Sequence, residues 1–535
     1  MSKRLRTPPE MARIFFACAW RSSVLIVALN VSACLPHVDL APDYQPAQFV
    51  VPASWHGASP FVEAKPADAD LREDWWALYN DPVLNNLVEK AMAANPDLQA
   101  AAERFVQSRD MMMKARSRRI PHVGLGFGAS DNRQSENALF RDPDISDTAS
   151  TVSTGGIASW EPDFWSAIRN ATRVEIYRAE ERAAEYGLAR LSLQAEIGAN
   201  YFTLRGYDAQ LGIYTKSIDL YKGSLELIKD QLTVGIASAL DIARVESLLF
   251  STQTQEAEVQ GQRQVTEQAI AILLNMAPSS FTIEPVDDLR VANFTIPQTI
   301  PSTLLERRPD IARMERRMAQ ANRAIGIARA AFYPNVTFRA GGGFEDTGFN
   351  LIKLANSFWS YGSAISLPLF QGGYRRAQLQ QSWSAYRETE DRYRSTVLNA
   401  FREVENNLSL TNQLTVAAKR QDAAVGAYLK TQDLTSSLYF GGLGTSLELI
   451  YAQVNTLGAR IHSVVIKANL LKSSVALIRA LGGGWNRNQL PADEQIQPFD
   501  TFQVVDLDKP PSAGGIDVNA GNNWMHNDLT QPSVP

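Results

Sequence analysis

Hydrophobic positions along this chain follow two periods. Leu204, Leu211, Ile218, Leu225 and Leu232 recur every seven residues, and Tyr207, Tyr214, Tyr221 and Ile228 recur every seven between them. This three–four alternation is a coiled-coil seam, and a sustained seven-residue repeat winds helices left-handedly. No stop signal interrupts Ser166 to Leu232, and at 1.5 Å per residue that run reaches on the order of 100 Å. A compact domain has no use for such a rod. Elsewhere the period is two. In Phe358–Leu369 the positions Trp359, Tyr361, Ile365, Leu367 and Leu369 are large and apolar, whereas Ser360, Gly362, Ala364 and Ser366 are small or polar. Val336, Phe338 and Ala340 alternate with Thr337 and Arg339 in the same way. That pattern fits a half-buried strand, including one with a face in lipid. Strands are expected near 121–130, 151–163, 334–344 and 357–369.

Proline marks the helical stretches. The chain has 26 prolines in 535 residues, yet none lies between Pro162 and Pro278 or between Pro368 and Pro491. A helix interior loses about 3 kcal/mol to a proline, so the two gaps predict two long helical hairpins, 166–275 and 372–481. The chain also repeats itself. Asn95-Pro-Asp-Leu98 returns as Arg308-Pro-Asp-Ile311, Ile120-Pro-His-Val123 as Tyr333-Pro-Asn-Val336, and Gly235-Ile-Ala-Ser-Ala-Leu-Asp241 as Gly442-Leu-Gly-Thr-Ser-Leu-Glu448. Order and spacing hold over some 200 residues, which is the signature of an internal duplication. Repeat 1 is expected over 83–278 and repeat 2 over 302–485, joined by a linker at 279–301. Each reads helix, strand, strand, long helix, helix. Helices over 83–118 and 238–275, stacked end to end, would match the single long rod.

The ends differ from this body. Lys3, Arg4, Arg6, Arg13 and Arg21 precede a short apolar run, Val24–Leu29, that closes on Val31-Ser-Ala-Cys34. A basic segment, a run too short to span a bilayer, and small residues before a cleavage point make 1–33 a signal peptide. Ending on cysteine, it resembles a lipobox, with Cys34 as the lipidated first residue, and Leu35 after it is the kind of residue found in lipoproteins sorted to the outer membrane. An ordinary signal with an incidental cysteine is the alternative. Removing 1–33 takes the net charge from −5 to −9 and leaves one cysteine, so no internal disulfide can form. Segment 34–82 reads as extended and leading into an equatorial region, and 486–535, rich in Pro, Asn, Asp and Gly, as a partly disordered tail.

Four strands per chain cannot close a barrel, and an open edge is not tolerated in lipid. Two copies would give eight strands and a barrel filled by its own side chains. Three would give twelve, with twelve helical tracks below. The class is therefore mainly α with membrane β. No basic stretch is interleaved with aromatics, which sets nucleic acid aside. His37, His56, His122, His462 and His526 are scattered without metal-ligand spacing. Gly341–Gly343 opens no helix, Gly482–Gly484 suits a helix C-cap, and Glu403 and Glu405 do not share a helix face. Neither a catalytic group nor a metal or other cofactor is expected, beyond the covalent lipid on Cys34.

Taken in order, Trp75-Trp76 with Asp81-Pro82, the strand entries at Pro121 and Pro334, Leu304-Leu-Glu-Arg-Arg-Pro-Asp-Ile311, Pro368-Leu-Phe370, Glu403-Val-Glu405 and Ala480-Leu-Gly-Gly-Gly-Trp485 resemble the TolC-like outer-membrane factors of tripartite efflux pumps. The lipobox places the likeness in the NodT/OprM-type lipoprotein branch. The resemblance covers about 34–485. It implies a homotrimer with a 12-stranded β-barrel continuing into a 12-helix α-barrel, set in outer-membrane lipid and reaching into the periplasm. It also implies a periplasmic adaptor and an inner-membrane, proton-driven transporter of the resistance–nodulation–division type as partners. The chain itself would be a passive exit duct for small molecules. One departure is Ser166, where relatives often carry glycine; serine is expected to cap the helix there.

The resemblance also bears on the far end of the hairpins. Gly235 and Gly442 would sit at the periplasmic tip turns, with Asp241 and Glu448 just beyond and Tyr439 just before. By likeness, Tyr439 would hydrogen-bond Asp241 in a closed state, and Glu448 from three copies would line a cation-attracting ring. A basic gate partner found in some relatives falls on Gly444, and a second acidic ring on Tyr451, so the lock differs here. Two other readings stay open: the exit duct of a protein-secreting machine, and a coiled-coil lipoprotein that braces the envelope without a pore.

Overall fold

The computed structural model describes residues 38–45, 49, 55, 73–133, 135, 137, 148–289, 301–348, 351 and 353–497. Cys34 and the signal segment lie outside the described residues, as does everything after 497. In chain order the elements are α1 (Pro82–Ala94), α2 (Pro96–Ser117), β1 (His122–Arg133), β2 (Thr148–Trp160), α3 (Ala167–Thr233), α4 (Ala239–Leu273), α5 (Pro301–Arg307), α6 (Pro309–Ala330), β3 (Asn335–Asp346), β4 (Ser357–Ser366), α7 (Tyr374–Phe440) and α8 (Ser446–Ala480). The duplication is nearly residue for residue. Helices α3 and α7 each have 67 residues, α4 and α8 each 35, and α2 and α6 each 22.

The expected uninterrupted helix over 83–118 is instead two helices. Proline disfavours α conformation in the residue before it and fits the first helical position after it. Asn95 is accordingly extended (φ −66°, ψ 122°), and its side chain caps α2 by accepting from Leu98 N at 3.0 Å. The break serves the stacking of the two half-length helices. Asn95 Nδ2 donates to the last α4 carbonyl, Leu273 O, at 3.0 Å. At the duplicated position, Arg308 donates to the last α8 carbonyl, Ala480 O, at 2.9 Å. Each repeat thus ties the head of one short helix to the foot of another, both lying along one long rod.

The α3 seam is buried through Leu204, Ile218, Tyr221 and Ile228 and reaches solvent at Leu232. Around the middle of the rods, Trp75, Leu84, Ile197, Tyr201, Ile270, Leu304, Ile311, Leu471 and Val475 form the main core. Trp75 Nε1 donates to Gln194 Oε1 at 3.2 Å, and Asp81 caps α1 through Val83 N and Leu84 N. Beside this core runs a buried charge chain. Asp208, fully buried, accepts from Arg263 Nε at 2.6 Å and from Arg205 Nη1 at 2.9 Å. Arg263 and Arg205 also donate to Ile283 O and Glu284 O, both at 2.7 Å, which fastens the start of the linker onto α3 and α4. The tail also begins folded: Ile496 is buried, and its carbonyl accepts from Arg109 at 3.1 Å. Helix α8 is long and apolar enough to cross a membrane by composition, but half of its most apolar stretch is buried inside the protein against neighbouring rods.

The four strands make one antiparallel meander, β1-β2-β3-β4, in which β2 and β3 join the two repeats. Residues 122–133 pair with 148–159, 152–160 with 338–346, and 335–344 with 357–366.

Candidate functional site: the sheet faces and the hairpin tips

The three registers agree on which residues share a face. Val123 sits beside Ala158, Ala158 beside Ala340, and Ala340 beside Tyr361. That face carries Val123, Leu125, Phe127, Val152, Trp160, Val336, Phe338, Phe344, Trp359, Tyr361 and Ile365. Leu125 is 91% exposed, Ile365 73% and Tyr361 72%. The other face carries Gly124, Gly126, Gly128, Ser153, Gly155, Ser159, Thr337, Arg339, Gly341, Gly343, Glu345, Ser360, Gly362 and Ala364, with Ile157 and Phe358 as its large apolar exceptions. Glycine on this face is partly a matter of space: a Cβ on Gly343 would stand 2.1 Å from Thr154 O. One apolar and one small polar face, exposed over β1 and β4 and mostly half-buried over β2 and β3, define a sheet made for lipid on one side and water on the other. The outer edges of β1 and β4 have no partner strand within the described chain.

Where β2 enters α3, Ser166 does not cap. It adopts left-handed backbone (φ 55°), where the duplicated position is Gly373 (φ 86°). Asp163 caps instead, accepting from Ile168 N at 3.0 Å and Arg169 N at 2.8 Å. The Ser166 hydroxyl donates to Val38 O at 3.0 Å, and Arg323 pairs with Asp39 at 2.9 Å. A non-glycine residue in this region costs on the order of 1 kcal/mol, and the hydroxyl offsets that by strapping the N-terminal segment to the foot of the sheet.

At the other end, Gly235 (φ 79°) and Gly442 (φ 78°) form the two tip turns. The expected Tyr439–Asp241 hydrogen bond is not made. Tyr439 Oη donates to Gln231 Oε1 at 2.9 Å, and Asp241 Oδ1 accepts from Ser446 Oγ at 2.5 Å. The tips are still tied together, but by two bonds that run between the hairpins and use Gln231 and Ser446, which the sequence reading missed. The reason is local. Ser238-x-x-Asp241 and Thr445-x-x-Glu448 are capping boxes, which hold each acid against the first turn of its own helix. Ser238 Oγ donates to Asp241 Oδ2 at 2.6 Å, and Thr445 N to Glu448 Oε2 at 3.0 Å. The spacing was there to be read. The Ser238 hydroxyl, with Ser446 and Arg244, holds the Asp241 carboxyl below the usual aspartate range, whereas partial burial and the nearby Asp241 charge raise Tyr439. Val234, Ile236, Leu240, Phe440, Leu443 and Tyr451 around the turns are exposed.

A lipid-facing meander carried on paired 67-residue rods is the build of an outer-membrane duct. The sequence profile described as "Outer membrane efflux protein" matches residues 87–276 and 300–483, and the chain belongs to that family. It is 28% identical over 476 residues to a probable efflux pump outer membrane protein, SepC, of Pseudomonas putida, covering 87% of this chain and 98% of that protein. It is 28% identical over 477 residues to outer membrane protein OprJ of Pseudomonas aeruginosa, covering 88% and 97%. Among solved structures it matches the outer-membrane channel OprN with a TM-score of 0.78 at 25% identity, covering 84% of this chain and 99% of that one. The protein is a TolC-like outer-membrane efflux channel, not an enzyme.

Proposed function

We propose that three copies of this chain close edge to edge into a 12-stranded barrel and a 12-helix periplasmic barrel, forming the passive exit duct of a tripartite small-molecule pump. The observation that carries this is the four-stranded sheet with two open edges, whose outer strands are exposed on both faces. Unpaired backbone in hydrocarbon costs several kcal/mol per group, so the edges need partners. With strands about 4.8 Å apart and tilted about 40°, twelve strands have a backbone radius of about 12 Å, enough for a watery lumen where eight are filled. Helix α7 supports the same closure. Beyond Thr411 it buries nothing, and it shows Leu429, Leu434 and Leu438 to solvent, a stripe for the neighbouring copy.

The lipid and the partners join this reading. Cys34 is four residues before Val38, so an extended chain carries it no more than about 14 Å from the carbonyl held by Ser166 at the foot of the sheet. A lipid there would enter the leaflet that the strands cross. The exposed apolar tip turns suit a periplasmic adaptor, which in turn would couple the duct to a proton-driven inner-membrane transporter of the resistance–nodulation–division type. The tips act as the gate: Tyr439–Gln231 and Ser446–Asp241 hold it closed, and Glu448, freed from its capping box, would add the acidic ring.

Single-channel recording of the purified protein in a planar bilayer tests the duct. Discrete conductance with a heat-resistant trimer on gels is expected. A compact monomer without conductance would leave the pore-free bracing lipoprotein as the reading.

A further inference from the structure

The two ends of the sheet carry opposite charge. The segments 114–121, 161–173, 323–334 and 367–376, where strands meet helices, hold ten basic and two acidic side chains, a net charge of +8. At the opposite end, the described residues of 131–137 and 345–356 hold two basic and three acidic side chains, a net charge of −1. The positive end runs against the −5 of the whole chain.

The arginines of the first two segments form a cluster. Partial burial and then the neighbouring charge of Arg116 lower the pKa of Arg119; Asp163 opposes this, and Arg169 and Arg173 add to it. Asp163, the acid nearest to them, is already held by Arg169 at 3.1 Å. Arg118, Arg119, Arg173 and Arg376 are exposed, and among the described residues no ion pair or hydrogen bond engages their side chains. Several neighbours are occupied: Arg116 bonds Gln497, Arg323 pairs with Asp39, and Arg375 bonds Gln371.

This cluster lies against the lipid side of the wall. Trp160, on the apolar face, donates from Nε1 to Arg119 O at 3.0 Å and stacks on Phe338 with ring centroids 6.0 Å apart. An indole joining an apolar wall to a polar rim marks the headgroup level of a membrane. Closure of the barrel does not neutralise it. The neighbour's β4 would approach β1 and bring Arg375 and Arg376 with it, and no acid occurs between Asp346 and Glu388.

We propose that this arginine collar is a docking surface for anionic phospholipid headgroups in the periplasmic leaflet of the outer membrane. It rests on the reading that the Val123–Tyr361 face lies in lipid. The guanidinium fork matches a phosphate with two parallel hydrogen bonds, and each basic side chain near an anionic surface raises affinity roughly fivefold. The arginines around Arg119 repel one another, and the headgroups supply counter-charge along this rim.

The test uses the full-length trimer in neutral-detergent micelles doped with phosphatidylglycerol or phosphatidylethanolamine. Native mass spectrometry counts retained lipids, and gels give the temperature at which the trimer dissociates. Wild type is expected to retain phosphatidylglycerol at least about tenfold over phosphatidylethanolamine, less so in high salt. The pairs R118Q/R119Q and R173Q/R376Q should each lose most of that preference, and R118K/R119K/R173K/R376K, which keeps the charge without the fork, should fall between them and wild type. Either pair suffices if the other fails to fold. Equal retention of both lipids by wild type, an undiminished preference in the glutamine pairs, or equal protection by inorganic phosphate alone would overturn the collar. A conducting trimer without lipid preference sinks the collar and spares the duct; a protein that forms no trimer sinks both.

Discussion

The waist and the tips of this protein are both held by polar side chains, yet the physics of the two differs. At the waist, Asp208 is fully buried between Arg205 and Arg263, and the same arginines hold the linker backbone. Every charge there has a partner, and removing Asp208 strips Arg205 of its acid and leaves Arg263 with Glu267 alone. At the tips, Tyr439–Gln231 and Ser446–Asp241 lie near water, where a broken bond is replaced by solvent. In the proposed duct the waist is therefore a fixed clamp and the tips a latch, a division that opening at one end without falling apart would need.

The largest expected effect is at the clamp. Asp208→Ala should destabilise the protein by about 3–5 kcal/mol, because two buried arginines lose their shared anion, read as a fall in denaturant midpoint. A change below about 1 kcal/mol would make waist and tips alike. Next come the helix-stacking ties. Asn95→Ala should cost about 1–2 kcal/mol, and Arg308→Met more than Asn95→Ala, since it also abandons Asp310 and Glu403. Equal losses would argue that the two repeats are held identically.

At the latch, Tyr439→Phe or Gln231→Ala should raise the open fraction roughly fivefold, the worth of one neutral hydrogen bond, with little change in melting temperature. Uptake of a large antibiotic by cells is the measurement, and an unchanged uptake would remove these residues from the gate. The pH response follows from Asp241. Its folded value is depressed below 3.8, so its contribution is present above that unfolded value and is lost only as pH falls through the folded one. Leak conductance should thus be flat from pH 7 to pH 5; a rise within that window would assign the latch to another group. The smallest effect is Ser166→Gly, which relieves left-handed strain while cutting the strap, two contributions of about 1 kcal/mol and opposite sign. Stability should hardly move, but proteolysis near residues 38–45 should quicken.

Much of this molecule was legible in the linear pattern. Proline gaps and heptads predicted two rods, and both are 67 residues long. Alternation found all four strands, because a wall with lipid on one side imposes period two on every residue it uses. The tip acids were placed by their distance from Gly235 and Gly442. What stayed hidden were their partners. A carboxylate three residues after a serine or threonine goes to its own helix end before it reaches across, and no periodicity records which side chain of the other hairpin takes the free oxygen. Asn95 and Arg308 were visible as a duplicated pre-proline position, but their task was not, since Leu273 and Ala480 are 178 and 172 residues away along the chain. Local sequence determined the elements, their lengths and their faces, because helix, strand and turn are decided within a few residues. Tertiary structure alone decided the clamp, the latch and the crowding of arginines at the foot of the sheet, because each needs groups that only folding brings within reach of one another.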